Sequence, residues 1–221
     1  MDVTQLVQSV ALTASIYALP VLFAITLHEA AHGYVARHFG DLTAHAQGRI
    51  SLNPLRHIDL IGTVVVPLAI LLLSGGRFLF GWAKPVPVNY SALRRPKQHM
   101  ALVAAAGPAV NLAMALGWAI LLKLAVDLPL NFFTEPMEAM ARAGILVNMI
   151  FMFLNLLPIL PLDGGRILAS LLPGRMAWQY ARLEPWGLPL LLVLLFSNAL
   201  DVVLNPLIVV STSLIQAVVL L

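Results

Sequence analysis

The sequence contains no cysteine, which narrows the chemistry open to the chain. Without a thiol there is no disulfide, no cysteine-ligated zinc site and no cysteine nucleophile. Charged side chains are also scarce, at 10% of 221 residues against 60% hydrophobic residues, whereas a soluble domain carries roughly 25% charged residues. The composition therefore excludes an ordinary soluble protein and predicts an integral membrane protein whose surroundings are the lipid bilayer.

A polar stretch long enough for a soluble domain is also missing, as are repeats and low-complexity tracts. The net charge of +3 could suggest a nucleic-acid partner, but the basic residues stand in short loops between apolar runs. Orientation in the membrane explains them more simply, because cytoplasmic loops carry an excess of Lys and Arg. We expect no nucleic-acid partner and a single integral-membrane domain over residues 1–221, with its core at residues 10–170.

Six apolar runs divide the chain, and five of them are predicted to cross the bilayer. The exception is the run 60–74, which has 15 residues, contains Pro67 and ends at two glycines. A straight span needs roughly 20 residues, so this run suits a re-entrant or broken segment as well as a crossing. The predicted fold class is an all-α polytopic membrane protein that ends in an apolar helix pair at 186–221. The five predicted spans are residues 12–34, 100–126, 143–160, 186–199 and 206–221.

Two connecting segments have strand character. Residues 43–52 alternate partly between apolar and polar side chains, and residues 84–90 place apolar side chains at every second position. Prolines in the second segment restrict it to the edge of a sheet. The pattern predicts a small β-sheet at the membrane surface, and a pair of irregular loops is the alternative.

Two histidines and a glutamate stand inside the first apolar run, in the order His28, Glu29 and His32. Successive helical residues rotate by about 100°, so the histidines share one face and Glu29 points to the flank. Each ionisable side chain in the middle of a span costs on the order of 2.5 to 3.5 kcal/mol. Chance spacing with packed histidines is the alternative, but a shared zinc ion gives a reason for this cost.

A third ligand must come from elsewhere, because catalytic zinc usually takes three protein ligands plus water. Asp163 is the best candidate, since it follows a long apolar run and stands among Pro158, Pro161, Gly164 and Gly165. Irregular backbone at membrane depth is tolerated only where it is buried in protein or lines a wet cavity, and an active site is such a cavity. The alternative is an ordinary Asp-Gly turn.

At this point the sequence resembles the site-2 protease family of intramembrane zinc metalloproteases. The family combines the His-Glu-x-x-His helix with a distant Leu-Asp-Gly, which is Leu162-Asp163-Gly164 here. It also shows a Gly-Pro-x-x-Asn helix start, here residues 107–111, and an Asn eight residues before the ligand Asp, here Asn155. The resemblance spans about residues 22–170 and is to a minimal form, since neither a PDZ nor a CBS domain is seen.

The resemblance implies one zinc ion per chain, held by His28, His32 and Asp163. It implies Glu29 as the general base and Asn155 as a residue that assists substrate or oxyanion binding. The expected activity is a metalloendopeptidase that cuts single-span membrane proteins in or near their transmembrane segments, in regulated intramembrane proteolysis or in removal of remnant signal peptides. A zinc enzyme acting on another carbonyl, a metal transporter and an inactive scaffold are the alternatives. The oligomeric state stays open, a homo-oligomer included.

The metal site also constrains the topology, because His28 and Asp163 must meet at one depth. If residues 60–74 enter and return, the loops before and after them share a face with residues 161–185. That arrangement divides the 13 Lys and Arg residues 11 to 2, against 8 to 5 for strict alternation. The positive-inside rule then predicts an external N-terminus and a site near the cytoplasmic face of the plasma or inner membrane. The residues on the basic face are Arg37, Arg49, Arg56, Arg77, Lys84, Arg94, Arg95, Lys97, Arg166, Arg175 and Arg182.

Overall fold

The structure is a computed structural model that describes residues 3–66, 69–70, 81, 83–129 and 131–219. Its long helices are α1 (Val3–His38), α3 (Pro96–Asp127), α4 (Thr134–Asn155) and α8 (Ala199–Val219). The shorter ones are α2 (Thr43–Ala46), α5 (Asp163–Leu171), α6 (Gly174–Ala181) and α7 (Glu184–Phe196). Between α2 and α3 lie 3-10 helices at Pro54–His57 and Tyr90–Ala92 and a π-helical turn at Leu60–Val65. The described part of the chain is therefore all-helical with irregular connections.

Four of the described helices are long and apolar enough to cross a membrane, namely α1 from Ala11 onward, α3, α4 and α8. The prediction of five spans is not supported at residues 186–199. Helix α7 there has 13 residues and extends about 20 Å, less than the roughly 30 Å of a hydrocarbon core. The chain leaves the helix at Ser197, and Asn198 takes a left-handed conformation with φ of 57°.

Helix α3 occupies the centre of the bundle and contacts α1, α4, α5 and α8. It runs antiparallel to α1, since Val103 bonds to His32 while Asn111, two turns later, bonds to His28 and Ala24. The end of α1 and the start of α3 therefore lie at the same end of the bundle. The connection between them therefore begins and finishes at the same end, as the re-entrant topology requires. Residues 67–68 and 71–80, which include Arg77, lie outside the described residues, so the depth reached by 60–74 stays a prediction.

The largest buried apolar cluster joins α3 to α4. Ala115 and Ala119 of α3 are fully or almost fully buried against Ala141, Ile145 and Met149 of α4. Small side chains allow helix backbones in a membrane to approach closely, and dispersion contacts then hold the pair together. This close packing fixes α3 against α4 behind the part of the bundle that holds the candidate site.

The predicted β-sheet is not formed by the described residues. Residues 43–46 make the short helix α2, in which the N–H of Ala46 donates to Leu42 O at 2.9 Å. Residues 83–89 are irregular, and the N–H of Lys84 donates to the carbonyl of His57 in a preceding 3-10 helix at 2.8 Å. The N–H groups of Val86 and Asn89 donate to the carboxylates of Glu29 and Asp41, each at 2.7 Å. Carboxylates on and just beyond α1 thus take the place of a neighbouring strand.

Candidate metal centre

Three side chains from two distant parts of the sequence converge where α1, α3 and the start of α5 meet. His28 Nε2 lies 3.1 Å from His32 Nε2 and 3.2 Å from Asp163 Oδ2, and His32 Nε2 lies 3.3 Å from Asp163 Oδ1. Both histidines are buried, and the Asp163 side chain is 13% exposed. His28 and His32 are four positions apart on α1, which places the two rings one turn apart on the same face. The structure thus brings together the three residues predicted as metal ligands.

The other nitrogen of each histidine contacts an oxygen that accepts its proton. His28 Nδ1 lies 2.6 Å from Asn111 Oδ1, and His32 Nδ1 lies 2.7 Å from the carbonyl of Val103. Because a carbonyl oxygen is only an acceptor, Nδ1 must carry the proton on both rings. In the neutral imidazole Nε2 then presents a lone pair to the cluster, which is the form that ligates a metal.

The distances between the candidate ligand atoms fit a metal ion. Ligands at about 2.0 to 2.1 Å from a tetrahedral zinc stand roughly 3.3 Å apart, close to the 3.1 to 3.3 Å found here. Asp163 Oδ2 is buried and has no hydrogen-bond donor among the described residues. Three acceptor atoms that face one another repel unless a cation lies between them. His28, His32 and Asp163 therefore have the composition and spacing of a zinc site.

Gly107 of α3 supplies the wall of this site. A Cβ atom there would lie 2.5 Å from His28 Cε1 and 2.6 Å from both Nε2 atoms, too close for a side chain. The sequence pattern predicts a helix start at residues 107–111, but these residues lie inside α3, and the contact between Gly107 and the histidines was not predicted. The usable signal was the spacing of Val103, Gly107 and Asn111, because residues four apart lie on one face of a helix and so face the same neighbour.

Asp163 reaches the histidines because α5 starts in a tight approach to the preceding turn. Leu162 is extended, and Asp163 is the first residue of α5, where a carboxylate also interacts favourably with the helix dipole. Gly164 follows, and a Cβ on it would lie 2.1 Å from the carbonyl oxygen of Leu156. The Leu-Asp-Gly sequence therefore needs its glycine for packing, while the aspartate supplies a candidate ligand atom.

Glu29, the predicted general base, lies next to the metal cluster along α1 and is half-buried. Its Oε2 accepts a hydrogen bond from the Val86 N–H at 2.7 Å, which holds the carboxylate on the flank of the helix. Residues 83–89 are held on both sides of this contact. Arg49 donates to the carbonyls of Lys84 and Pro85 at 3.0 and 3.2 Å, and the N–H of Asn89 donates to Asp41. Glu29 is thus an ordered carboxylate beside the histidines.

Asn155 is not among the side chains that the structure brings together. It is the last residue of α4, and its Nδ2 donates to the carbonyl of Phe151 one turn earlier at 3.0 Å. Its assistance to substrate or oxyanion binding stays a prediction.

Arg166 stabilises the start of α5 from outside the cluster. Its guanidinium pairs with Glu184 at the start of α7 and lies 5.5 Å from the ring centre of Tyr90. Burial raises the pKa of the Tyr90 hydroxyl, and the charge of Arg166 partly opposes this rise. Tyr90 therefore stays neutral near pH 7, and Arg166 links α5 to α7 and to the segment that ends at Tyr90.

Fold and site together define a helical membrane protein with a buried candidate metal site and a carboxylate beside it. Residues 129–197 match the family described as "Peptidase family M50". The chain is 36% identical over 191 residues to "Putative zinc metalloprotease YwhC" of Bacillus subtilis (strain 168), covering 85% of this chain and 83% of that protein. It is 31% identical over 184 residues to "Putative zinc metalloprotease Rip2" of Mycolicibacterium smegmatis, covering 81% of this chain and 66% of that protein. No solved structure matches the chain.

The chain belongs to peptidase family M50, the site-2 protease family, and is a zinc metalloprotease of that family. The predictions of a membrane protein, a protease and a zinc cofactor are confirmed at this level by the relatives and by the apolar helices.

Proposed function

We propose that the protein is an intramembrane metalloendopeptidase that cuts peptide bonds in or near the transmembrane segments of single-span membrane proteins. The observation that carries the proposal is the position of the cluster. His28 and His32 lie within α1, and their partners Val103 and Asn111 lie within α3, so the candidate ligands are enclosed by two helices long enough to cross a membrane. Remnant signal peptides fit the same site, because they are also single apolar helices.

His28, His32 and Asp163 would hold one zinc ion per chain. When bound, zinc supplies a Lewis acid that lowers the pKa of a water molecule toward about 7. Glu29 would accept a proton from the attacking water and return it to the leaving amine. Asn155 would donate its amide to the carbonyl oxygen that gains negative charge, a stabilisation typical of acyl-transfer sites.

The orientation that we propose places the N-terminus outside and the metal centre toward the cytoplasmic face of the plasma or inner membrane. The contacts between α1 and α3 support it, because they bring residues 39–57 and 83–95 to one end of the bundle. Arg94 N, for example, donates to Phe39 O at 3.0 Å. The predicted basic face thus has its loops at a common end, and the positive-inside rule assigns that end to the cytoplasm.

A direct test combines metal analysis with cleavage. The protein is purified in detergent, its zinc content is measured, and a panel of single-span substrates is incubated with the native chain and with Glu29→Gln. We expect about one zinc per chain in both and a loss of cleavage in Glu29→Gln of roughly 100-fold or more, since general-base catalysis contributes 10²- to 10⁴-fold. Zinc binding without Glu29-dependent cleavage would contradict the proposal and favour a transporter or scaffold.

A further inference from the structure

Behind His28 a chain of hydrogen bonds crosses the bundle through two asparagines. Asn111 of α3 and Asn148 of α4 are both completely buried, in the middle of apolar helices. Asn111 Nδ2 donates to Asn148 Oδ1 at 3.0 Å, and Asn148 Nδ2 donates to the carbonyl of Gly144 at 2.8 Å. A buried amide without partners is costly in an apolar medium, so two fully buried amides that bond to each other and to His28 form a built network.

The network has one direction, and the backbone sets it. The Gly144 carbonyl is only an acceptor, so Asn148 must turn its NH₂ group toward it and its Oδ1 toward Asn111. Asn111 must then turn its NH₂ group toward Asn148 and its Oδ1 toward His28. Reversing either amide would set two acceptor oxygens against each other. The carbonyl of Gly144 acts through Asn148, and the carbonyl of Ala24 lies 3.4 Å from Asn111 Nδ2 and favours the same orientation. Together they set the proton of His28 on Nδ1 and a lone pair on Nε2.

His32 reaches the same tautomer by a different route. Its Nδ1 donates directly to the backbone carbonyl of Val103, which no side-chain substitution removes. Only His28 depends on side chains for its proton position and ring orientation. The two histidine ligands are therefore unequal, and a change in the asparagine chain should act on one of them alone.

We propose that Asn111 and Asn148 are positioning residues that fix the tautomer and the ring orientation of His28 for metal binding. The inference rests on the proposed function of the His28, His32 and Asp163 cluster. Asn148 acts without contacting His28, because it orients the amide of Asn111. Partners that orient a metal-ligating histidine typically change metal affinity 10- to 100-fold when they are removed.

The test measures zinc affinity rather than cleavage alone. Native protein, Asn111→Leu, Asn148→Leu and Asn111→Asp are stripped of zinc in detergent and titrated against a coloured chelator. We expect roughly 10- to 100-fold weaker zinc binding in Asn111→Leu and a smaller loss in Asn148→Leu, where Asn111 can still accept from His28. Asn111→Asp should recover part of the affinity, because one carboxylate oxygen accepts the Nδ1 proton while the other faces the Oδ1 of Asn148.

Asn205→Leu is the matched control, since it makes the same change at an exposed position of α8 outside this network. Thermal unfolding of the zinc-free forms, followed by circular dichroism, shows whether a variant has lost only metal affinity. Excess zinc should restore cleavage to Asn111→Leu, which it would not do for a general packing defect. The visible spectrum of the cobalt-loaded Asn111→Leu should also differ from that of the native protein, because the His28 ring is free to turn.

Native zinc affinity in Asn111→Leu would overturn the inference, as would an equal loss in Asn205→Leu. If Asn111→Leu does not fold, the other two variants provide the test. Native zinc affinity in Asn148→Leu would overturn the inference, and so would the absence of metal binding in a folded Asn111→Asp. If the native protein binds zinc and cleaves substrates, and Asn111→Leu has native zinc affinity, only the roles of the asparagines are rejected. A native protein that binds no zinc would reject the proposed function and, with it, the roles of both asparagines.

Discussion

At the scale of single residues, Gly107 has little room for a side chain beside the metal centre. Its Cα faces both candidate histidine ligands, and an added Cβ would stand 2.5 to 2.6 Å from three of their ring atoms. The histidine rings have little freedom to retreat, since their Nδ1 atoms are bound to Asn111 and Val103. A methyl group at position 107 would therefore displace ring atoms or occupy space that the metal needs.

We predict that Gly107→Ala lowers zinc affinity by an order of magnitude or more, because overpacking a well-packed site typically costs about 1 to 3 kcal/mol. Gly117→Ala on the same helix is the control, since a Cβ there meets nothing within 4 Å. Zinc titration of both purified variants measures the difference. Native zinc affinity in Gly107→Ala would show that the histidines can move away without consequence.

Most of the ligand set could be predicted from the sequence, and the residues behind it could not. His28 and His32 are four residues apart on one helix, so their spacing alone implies a shared face. Asp163 was found because charge is rare in this chain and because prolines and glycines surround it. The pairing of Asn111 with Asn148 depends on how α3 packs against α4, which no local pattern encodes.

At the scale of elements, Asp41 holds the irregular segment 83–89 against the end of α1. The Asp41 side chain is buried, with one oxygen accepting from the Asn89 N–H at 2.7 Å and the other from the Thr43 N–H at 2.9 Å. The same segment supplies the Val86 N–H that binds Glu29. Asp41 therefore stabilises the segment that keeps the proposed base in place.

We predict that Asp41→Asn lowers the free energy of unfolding by about 1 to 3 kcal/mol, because its NH₂ group would face one of the N–H donors that the carboxylate now accepts. Cleavage should fall as well, since the Val86 contact to Glu29 loosens, while zinc content stays native. Thermal unfolding and substrate cleavage measure the two effects.

Asp127→Asn is the comparison for Asp41→Asn. It removes an exposed ion pair with Lys123, in which the nitrogen and oxygen are 3.4 Å apart, and such pairs contribute about 0 to 1 kcal/mol. Equal destabilisation of the two variants would contradict the role assigned to Asp41.

The strand prediction was wrong because carboxylates distant in sequence, Asp41 among them, bond to the backbone of the predicted strand. Residues 84–90 do alternate in sequence, but the N–H groups of Val86 and Asn89 donate to the carboxylates of Glu29 and Asp41, more than 40 residues earlier in the chain. In residues 43–52 local bonds close a helical turn, and Gly48 takes a positive φ of 62° that breaks an extended run. Period-two patterns show which residues could form strands, but the partners that satisfy the backbone are set by the fold.

At the scale of the whole molecule, the contacts between helices fix which helix ends lie together. Orientation in the bilayer then determines which end faces the cytoplasm. The end of α1 and the start of α3 share one end of the bundle with the start of α5, because His32 contacts both Val103 and Asp163. Helix α3 has 32 residues and extends about 48 Å, so Asp127 stands a full membrane thickness away from Pro96. Orientation follows once one end is assigned to the cytoplasm.

Cysteine labelling can show which side of the membrane the end of α1 and the start of α3 face, because the native chain has no cysteine that would react. Single cysteines at Lys84, Arg175 and Asp127, all exposed, would each be the sole thiol in the chain. We expect an impermeant thiol reagent to label Asp127→Cys from outside intact cells, and Lys84→Cys and Arg175→Cys only after the membrane is opened, since basic loops stay in the cytoplasm. Labelling of Lys84→Cys and Asp127→Cys from the same side would reject the proposed topology. Labelling of Lys84→Cys and Arg175→Cys from outside, with Asp127→Cys protected, would keep the bundle but invert it, moving the metal centre toward the external face.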